Sequence, residues 1–254
     1  VAISTLEAGL DVKSMAGTST KVFILEVMGR HAGWIAAASC LAASNQGDPP
    51  HIILLPEIPF ERNKFIDRVK KTDKKYGYCV IVASEGTKTK AGKFLADSGL
   101  TDAFGHKQLG GVAPVISSMI SKIGLKNHWA VADYLQRSAR HIASKTDLDQ
   151  AYAVGVQAVK LAVAGKTAVM PVIKRLSDTP YKWQIGTAPL KNIANIEKSV
   201  PRKFISKDGF AVTSAGRRYL NPLIQGEAPT SFKHGMPEVA LLKKSFVKKK
   251  LKKF

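Results

Sequence analysis

The chain alternates short, wholly apolar runs with longer segments whose apolar residues recur at helical spacing. Lys21 to Val27, "KVFILEV", is β-rich and apolar on both faces, which predicts a buried strand. "GWIAAASCLAASNQG" follows and predicts a buried helix stopped by Gly47 and Pro49. His51 to Glu57, "HIILLPE", predicts a second strand. Phe60, Phe65, Ile66 and Val69 then mark one face of a helix in "FERNKFIDRVKKTDKKYG". Tyr78 to Gly86, "YCVIVASEG", predicts a third strand ending in a polar turn. This β-α-β-α-β order predicts parallel strands joined by right-handed crossovers.

Beyond this unit, "GVAPVISSMISKIG", "DYLQRSARHIASK" and "DLDQAYAVGVQAVKLAVAGK" read as three helices. "TAVMPVIKR" and "YKWQIGTAP" read as strands around a turn at Asp178 and Pro180. At the start, "VAISTLEAGL" reads as a helix in which Ser4 and Glu7 fit a capping box. The first residue is Val1, which is compatible with a processed start or with the C-terminal part of a longer protein. A boundary near residue 130 is expected, and the end from Pro237 reads as irregular and basic.

Composition changes this picture in one respect. The 254 residues hold 39 Lys and Arg against 19 acids, for a formal charge of +20. Seven lysines between Lys243 and Lys253 leave about +13 elsewhere, so the excess is not confined to the tail. Such a body favours anionic partners: phosphorylated metabolites, nucleic acid or a membrane surface. Cys40 and Cys79 are isolated and flanked by apolar residues, as buried thiols in a reducing compartment are. The longest apolar run, Gly33 to Ala43, is far short of the ~20 residues of a membrane span. A soluble, cytoplasmic protein without a membrane partner is the expectation.

In open parallel sheets, ligands bind beyond the carboxyl ends of the strands. Two polar turns lie at such ends here: "MGRHAG" and "SEG". Gly29 permits close backbone approach to a ligand, and Gly33 permits a helix to start tightly against the sheet. Arg30 offers a planar fork of donors suited to phosphate, or a surface ion pair. Glu85 suits sugar hydroxyls, or a helix cap. The residues alone point to a phosphorylated small molecule.

Four segments add a resemblance. "EVMGRHAGWIA" resembles the Met-Gly-Arg segment of phosphofructokinases, in the form typical of their pyrophosphate-dependent branch. "VASEG" resembles the family's strand end with a substrate-binding glutamate. "FGHKQLGG" resembles its Gly-His-x-Gln-Arg-Gly-Gly loop, and "DYLQRSARHIAS" its Tyr-x-x-Arg helix start. Four motifs in family order, from Val1 to about Lys145, carry more than any one alone.

The resemblance implies an α/β fold: an open parallel three-layer sheet of phosphofructokinase type, with the first, donor-binding part missing. It implies a fructose 6-phosphate-binding domain over residues 1–133. Residues 134–254 would return to the donor domain and end in the basic tail. Backbone at Met28 and Gly29 would line the fructose 6-phosphate site. Arg30 would be catalytic, neutralising charge on the transferring phosphoryl group. Glu85 would hold sugar hydroxyls. Tyr134 and Arg137, with Leu135 and Gln136 between them, would close around the 6-phosphate, since residues one helical turn apart share a face. Leu109 stands where ATP-using members carry an arginine, a departure that fits the pyrophosphate branch. His106 reads as a structural loop histidine.

The family's Gly-Gly-Asp turn and its Thr-Ile-Asp-Asn-Asp stretch, with the catalytic base, do not occur in this sequence. The Mg²⁺ ligands are therefore expected in the N-terminal part outside this chain, and no metal ligand is expected within it. The implied reaction is transfer from pyrophosphate, less readily ATP, to fructose 6-phosphate. This chain alone is expected not to turn over, and the full-length form is expected to be a homo-oligomer. Two other readings stay open: a catalytically inactive basic module binding sugar phosphate or nucleic acid, and a nucleotide-cofactor oxidoreductase. Against the former stand dispersed basic residues and the absence of a base-stacking motif. Against the latter stands the absence of G-x-G-x-x-G after any predicted strand.

Overall fold

The computed structural model describes residues 1–101, 107–109, 111–246 and 248. Helix α1 (Ala2–Met15) leads into strand β1 (Val22–Val27). Helix α2 (Trp34–Ala38) continues as a 3₁₀ turn to Ala42. Then follow β2 (Ile52–Leu54), α3 (Arg62–Tyr76) and β3 (Cys79–Ser84). The hairpin β4 (Asp97–Thr101)/β5 (Lys107–Leu109) precedes α4 (Val112–Ser121) and β6 (Asn127–Val131). Helices α5 (Leu135–Ser138) and α6 (Lys145–Val163) lead to an antiparallel hairpin of β7 (Val169–Asp178) and β8 (Tyr181–Pro189). Helix α7 (Ser214–Leu220) and the two-residue strands β9 (Phe232–Lys233) and β10 (Met236–Pro237) complete the described elements.

The main sheet has the order β2-β3-β1-β6, all parallel, as the β-α-β-α-β pattern predicts. Alternation along each strand feeds two cores. Val22, Ile24, Cys79, Ile81 and Ala83 face α3 and α4, where Phe65, Val69, Ile116 and Ile120 meet them. Leu25, Val27 and Val82 face the opposite layer, where Ala36, Ala37, Val200, Phe204 and Leu220 meet them. Helices therefore cover both faces and the architecture is three-layered, as the resemblance implied. The strands read as continuous apolar runs because neither face meets water.

Several expectations are corrected. The first helix begins at Ala2, so Ser4 lies inside it and no side-chain cap bond forms; no Ser4–Glu7 capping box exists. The helix predicted after Gly33 has only five α-helical residues before it tightens into a 3₁₀ turn. Arg217 on α7 donates from its guanidinium to the carbonyls of Cys40 and Ala43 there, fixing the tightened end from outside. The segment "DYLQRSARHIASK" is not one helix. Only Leu135–Ser138 is α-helical, and Ala139, at φ −77° and ψ 54°, breaks the repeat before a 3₁₀ turn. Strand β6 escaped the sequence reading because its five residues, "NHWAV", are polar at one end and lie at the sheet edge. His106 lies outside the described residues, as does part of the "FGHKQLGG" loop and of the lysine-rich end. Among the described residues, no helix is long and apolar enough to cross a membrane.

Phe65 is fully buried against the sheet and packs at 5.3 Å, centroid to centroid, on Phe60. Phe65→Ala is expected to lower the unfolding free energy by about 3–5 kcal/mol in a urea titration, because the cavity cannot collapse between two close-packed layers.

Candidate functional site

The site follows from register. Val27 pairs with Ser84 and Glu26 with Val131, so β3, β1 and β6 end side by side. The chain leaves β1 toward one side of the sheet for β2 and β3 and returns to the other side for β6. Strand order thus reverses at β1, where open parallel sheets leave a crevice. Met28, Gly29 and Arg30 follow β1, Glu85 follows β3, and Tyr134 to Arg137 follow β6.

The three turns are hydrogen-bonded to one another. The Gly29 amide donates to Glu85 Oε1 at 3.2 Å, and Ser84 Oγ donates to the Gly29 carbonyl at 2.5 Å. The Met28 amide donates to Gln136 Oε1 at 3.3 Å. Glu85 is a link between turns rather than a helix cap. The Arg137 guanidinium lies 5.1 Å from the centre of the Tyr134 ring, on which it stacks. Tyr134 and Leu135 are exposed, and Leu135, Gln136 and Arg137 line an open cleft of about 1070 Å³. Arg30 is half-buried, and among the described residues its side chain makes no hydrogen bond or ion pair. Leu109 lies in β5.

The glycines explain why Met, Gly and Arg stand together here. Gly29 has φ +143°, and a Cβ there would lie 2.8 Å from the Ala32 carbonyl oxygen and 2.9 Å from Ser84 Oγ. A Cβ on Gly86 would overlap the Arg30 carbonyl. A Cβ on Gly33 would meet Leu55 at 2.6 Å and Glu57 at 2.8 Å. The turn after β1 is therefore pressed between the ends of β2 and β3.

Sequence reading missed two acidic residues. Glu26, the only charge within the β1 run, is buried, and its Oε2 accepts the Ala113 amide at 2.7 Å at the start of α4. Burial holds its carboxyl above the ordinary range. The Ala113 and Val112 amides oppose that shift, and the Glu85 and Asp133 carboxylates add to it. Glu57, after β2, accepts amides from Gly33 and Val200. A lone acid in an apolar strand was a legible signal for Glu26; Glu57 left none, because its partners are far apart in sequence.

Two outcomes follow from this geometry. Gly29→Ala is expected to cost about 1–3 kcal/mol of stability on chemical denaturation, since both the positive φ and two close neighbours oppose a side chain. For Glu26 the folded state holds a proton more tightly than the unfolded chain does. Its contribution to stability therefore falls as pH rises from the ordinary value of 4.5 through the raised folded value, and is lost above it. Glu26→Gln, which keeps an acceptor for Ala113, is expected to gain stability relative to the parent between about pH 4 and about pH 7, read as urea midpoints at both.

Known proteins resemble this chain in sequence and fold. A family model described as Phosphofructokinase matches residues 3–162. The pyrophosphate–fructose 6-phosphate 1-phosphotransferase of Halomonas elongata is 61% identical over all of this chain and 61% of its own length. That of Methylococcus capsulatus is 53% identical over 99% of this chain and 60% of its own. Among solved structures, the pyrophosphate-dependent phosphofructokinase from Nitrosospira multiformis superposes with a TM-score of 0.88 at 54% identity, over 100% of this chain and 60% of that one. That from Marinobacter aquaeolei gives 0.86 at 54% identity, over 99% and 60%. The chain thus spans about three fifths of the length of these relatives. With the Met-Gly-Arg turn, the glutamate after β3 and the Tyr-x-x-Arg turn joined at one sheet edge, the chain belongs to the phosphofructokinase family.

Proposed function

We propose that this chain is the sugar-phosphate half of an enzyme that transfers a phosphoryl group from pyrophosphate to the 1-hydroxyl of fructose 6-phosphate, giving fructose 1,6-bisphosphate. The observation that carries the reading is the hydrogen bond from the Gly29 amide to Glu85, which sets the Met-Gly-Arg turn and the glutamate at one crevice. The relatives named above, whose printed names specify this donor and this sugar, support it.

In this reading, residues 1–133 form the acceptor-sugar domain and residues 134–254 return toward the donor domain. Glu85 orients the sugar through its hydroxyls. Backbone at Met28 and Gly29 forms one wall of the sugar site. Tyr134 and Arg137, presented by the turn after β6, take the 6-phosphate, with the Arg137 fork meeting its oxygens. Gln136 holds that turn in place through the Met28 amide, and Leu135, exposed to the cleft, closes around the 6-phosphate with them. Arg30 is left to offset charge that gathers on the transferring phosphoryl oxygens, where preorganised donors act most strongly. Proton removal from the 1-hydroxyl falls to a base outside this chain.

Among the described residues no three acidic, His or Cys side chains converge as a metal site. In this reading Mg²⁺ would be held with the donor phosphates, by residues outside this chain. Homo-oligomerisation of the full-length form and a cytoplasmic, glycolytic setting complete the proposal.

The test is turnover by the gene-encoded protein that carries this sequence, with pyrophosphate and with ATP as donors. Pyrophosphate-dependent formation of fructose 1,6-bisphosphate is expected, and Arg30→Ala is expected to lower kcat by about 10²–10³. Turnover with ATP alone would overturn the donor, and turnover by residues 1–254 in isolation would overturn the division into halves. Tight, salt-steep oligonucleotide binding without turnover would favour a binding module instead.

A further inference from the structure

The turn that carries Met28 to Arg30 runs into α2, which has only five residues and no side-chain cap. One α-helical turn is too short to hold its own position. The segment after the β7–β8 hairpin supplies what α2 lacks. Glu57 Oε1 accepts the Gly33 amide at 2.9 Å and the Val200 amide at 2.8 Å, so one oxygen joins the helix start to residues 167 positions away. Next to this, the Trp34 indole N–H donates to the Lys198 carbonyl at 2.6 Å, and His31 Nδ1 lies 3.6 Å from the Glu197 carboxylate. The Trp34 ring is held in turn by Phe204, edge-on at 6.3 Å, and by Tyr219 at 5.6 Å. Residues 197–200 thus lie as a strap across residues 31–34.

From this geometry we infer that Glu57 is a positioning residue: it fastens the 197–200 strap over the start of α2 and so sets the backbone of the Met28–Arg30 turn against the sugar phosphate. An apolar side chain of the same shape would leave two amides unpaired, a loss that falls on Gly33, three residues from Arg30. Glu57 Oε2 is buried and has no partner among the described residues, so the carboxylate's role lies in the two amides that share Oε1. Backbone shifts of about 1 Å at a phosphoryl-transfer site are enough to cost about 10²-fold in rate.

The inference rests on the proposed function for its kinetic readout and on hydrogen exchange for a readout that does not. In the gene-encoded protein, Glu57→Ala is expected to raise the KM for fructose 6-phosphate about tenfold and leave that for pyrophosphate unchanged. Glu57→Gln, whose carbonyl oxygen still accepts both amides, is expected to restore it to within about threefold. Exchange at the Gly33 and Val200 amides should quicken in Glu57→Ala and stay protected in Glu57→Gln. Unchanged exchange at both amides, or a Glu57→Gln variant as impaired as Glu57→Ala, would overturn the inference. Should Glu57→Ala fail to fold, Trp34→Phe removes the bond to Lys198 and keeps most of the ring packing, and it should shift the same KM in the same direction; no shift would overturn the inference. A parent protein without pyrophosphate-dependent turnover would sink the functional reading, and the exchange result would still decide the strap.

Discussion

Everything in this site depends on β1 being hydrogen-bonded in parallel on both edges. Parallel pairing fixes the strand ends at one level. With Val27 opposite Ser84 and Glu26 opposite Val131, the three following turns leave the sheet together. A slip by one residue would turn Glu26 toward the other layer and move Val27 out of its core. The register also feeds two apolar layers that tolerate no such exchange, so the candidate site and the packing are set by the same constraint.

At that edge the protein uses backbone more than side chains. The Met28 and Gly29 amides are taken by Gln136 and Glu85, and the Gly29 carbonyl by Ser84. Three glycines, at 29, 33 and 86, leave room for this because each sits where a Cβ would strike a neighbouring turn. In the function proposed above, that fixed backbone would leave the half-buried Arg30 guanidinium to meet charge on phosphoryl oxygens.

The outer part of the chain is built differently. In α6 only Gln150 is buried, donating to the Tyr181 hydroxyl at 2.6 Å, and Tyr152, Val159 and Val163 are exposed along the helix. Arg175 lies over the rings of both Tyr181 and Tyr219, 4.8 and 4.0 Å from their centres, and pairs with Asp178. Polar and cation–π links, rather than a large apolar core, thus join the hairpin to α7. The same Tyr219 ring meets Trp34, which ties this periphery to the turn after β1.

How much of this could be read from residue order alone follows from which interactions are local. The strands β1, β2 and β3, the helices α3, α4 and α6, and the β7–β8 hairpin are legible because apolar period and turn chemistry act within a few residues. The Met-Gly-Arg and Ser-Glu-Gly turns are legible as candidate chemistry because each stands directly after such a strand. The extent of α2, β6 and α5 is not, since those elements are ended or completed by partners far away: Arg217 for the end of α2, β1 for β6. Glu57 shows the same limit, because its two amide partners come from Gly33 and Val200. Sequence by itself determined three strands of the sheet, their parallel sense and the residue types that could meet a phosphorylated small molecule, through spacing and local sterics. Only the tertiary structure decided which of them touch, because register and long-range hydrogen bonds are set when the layers close.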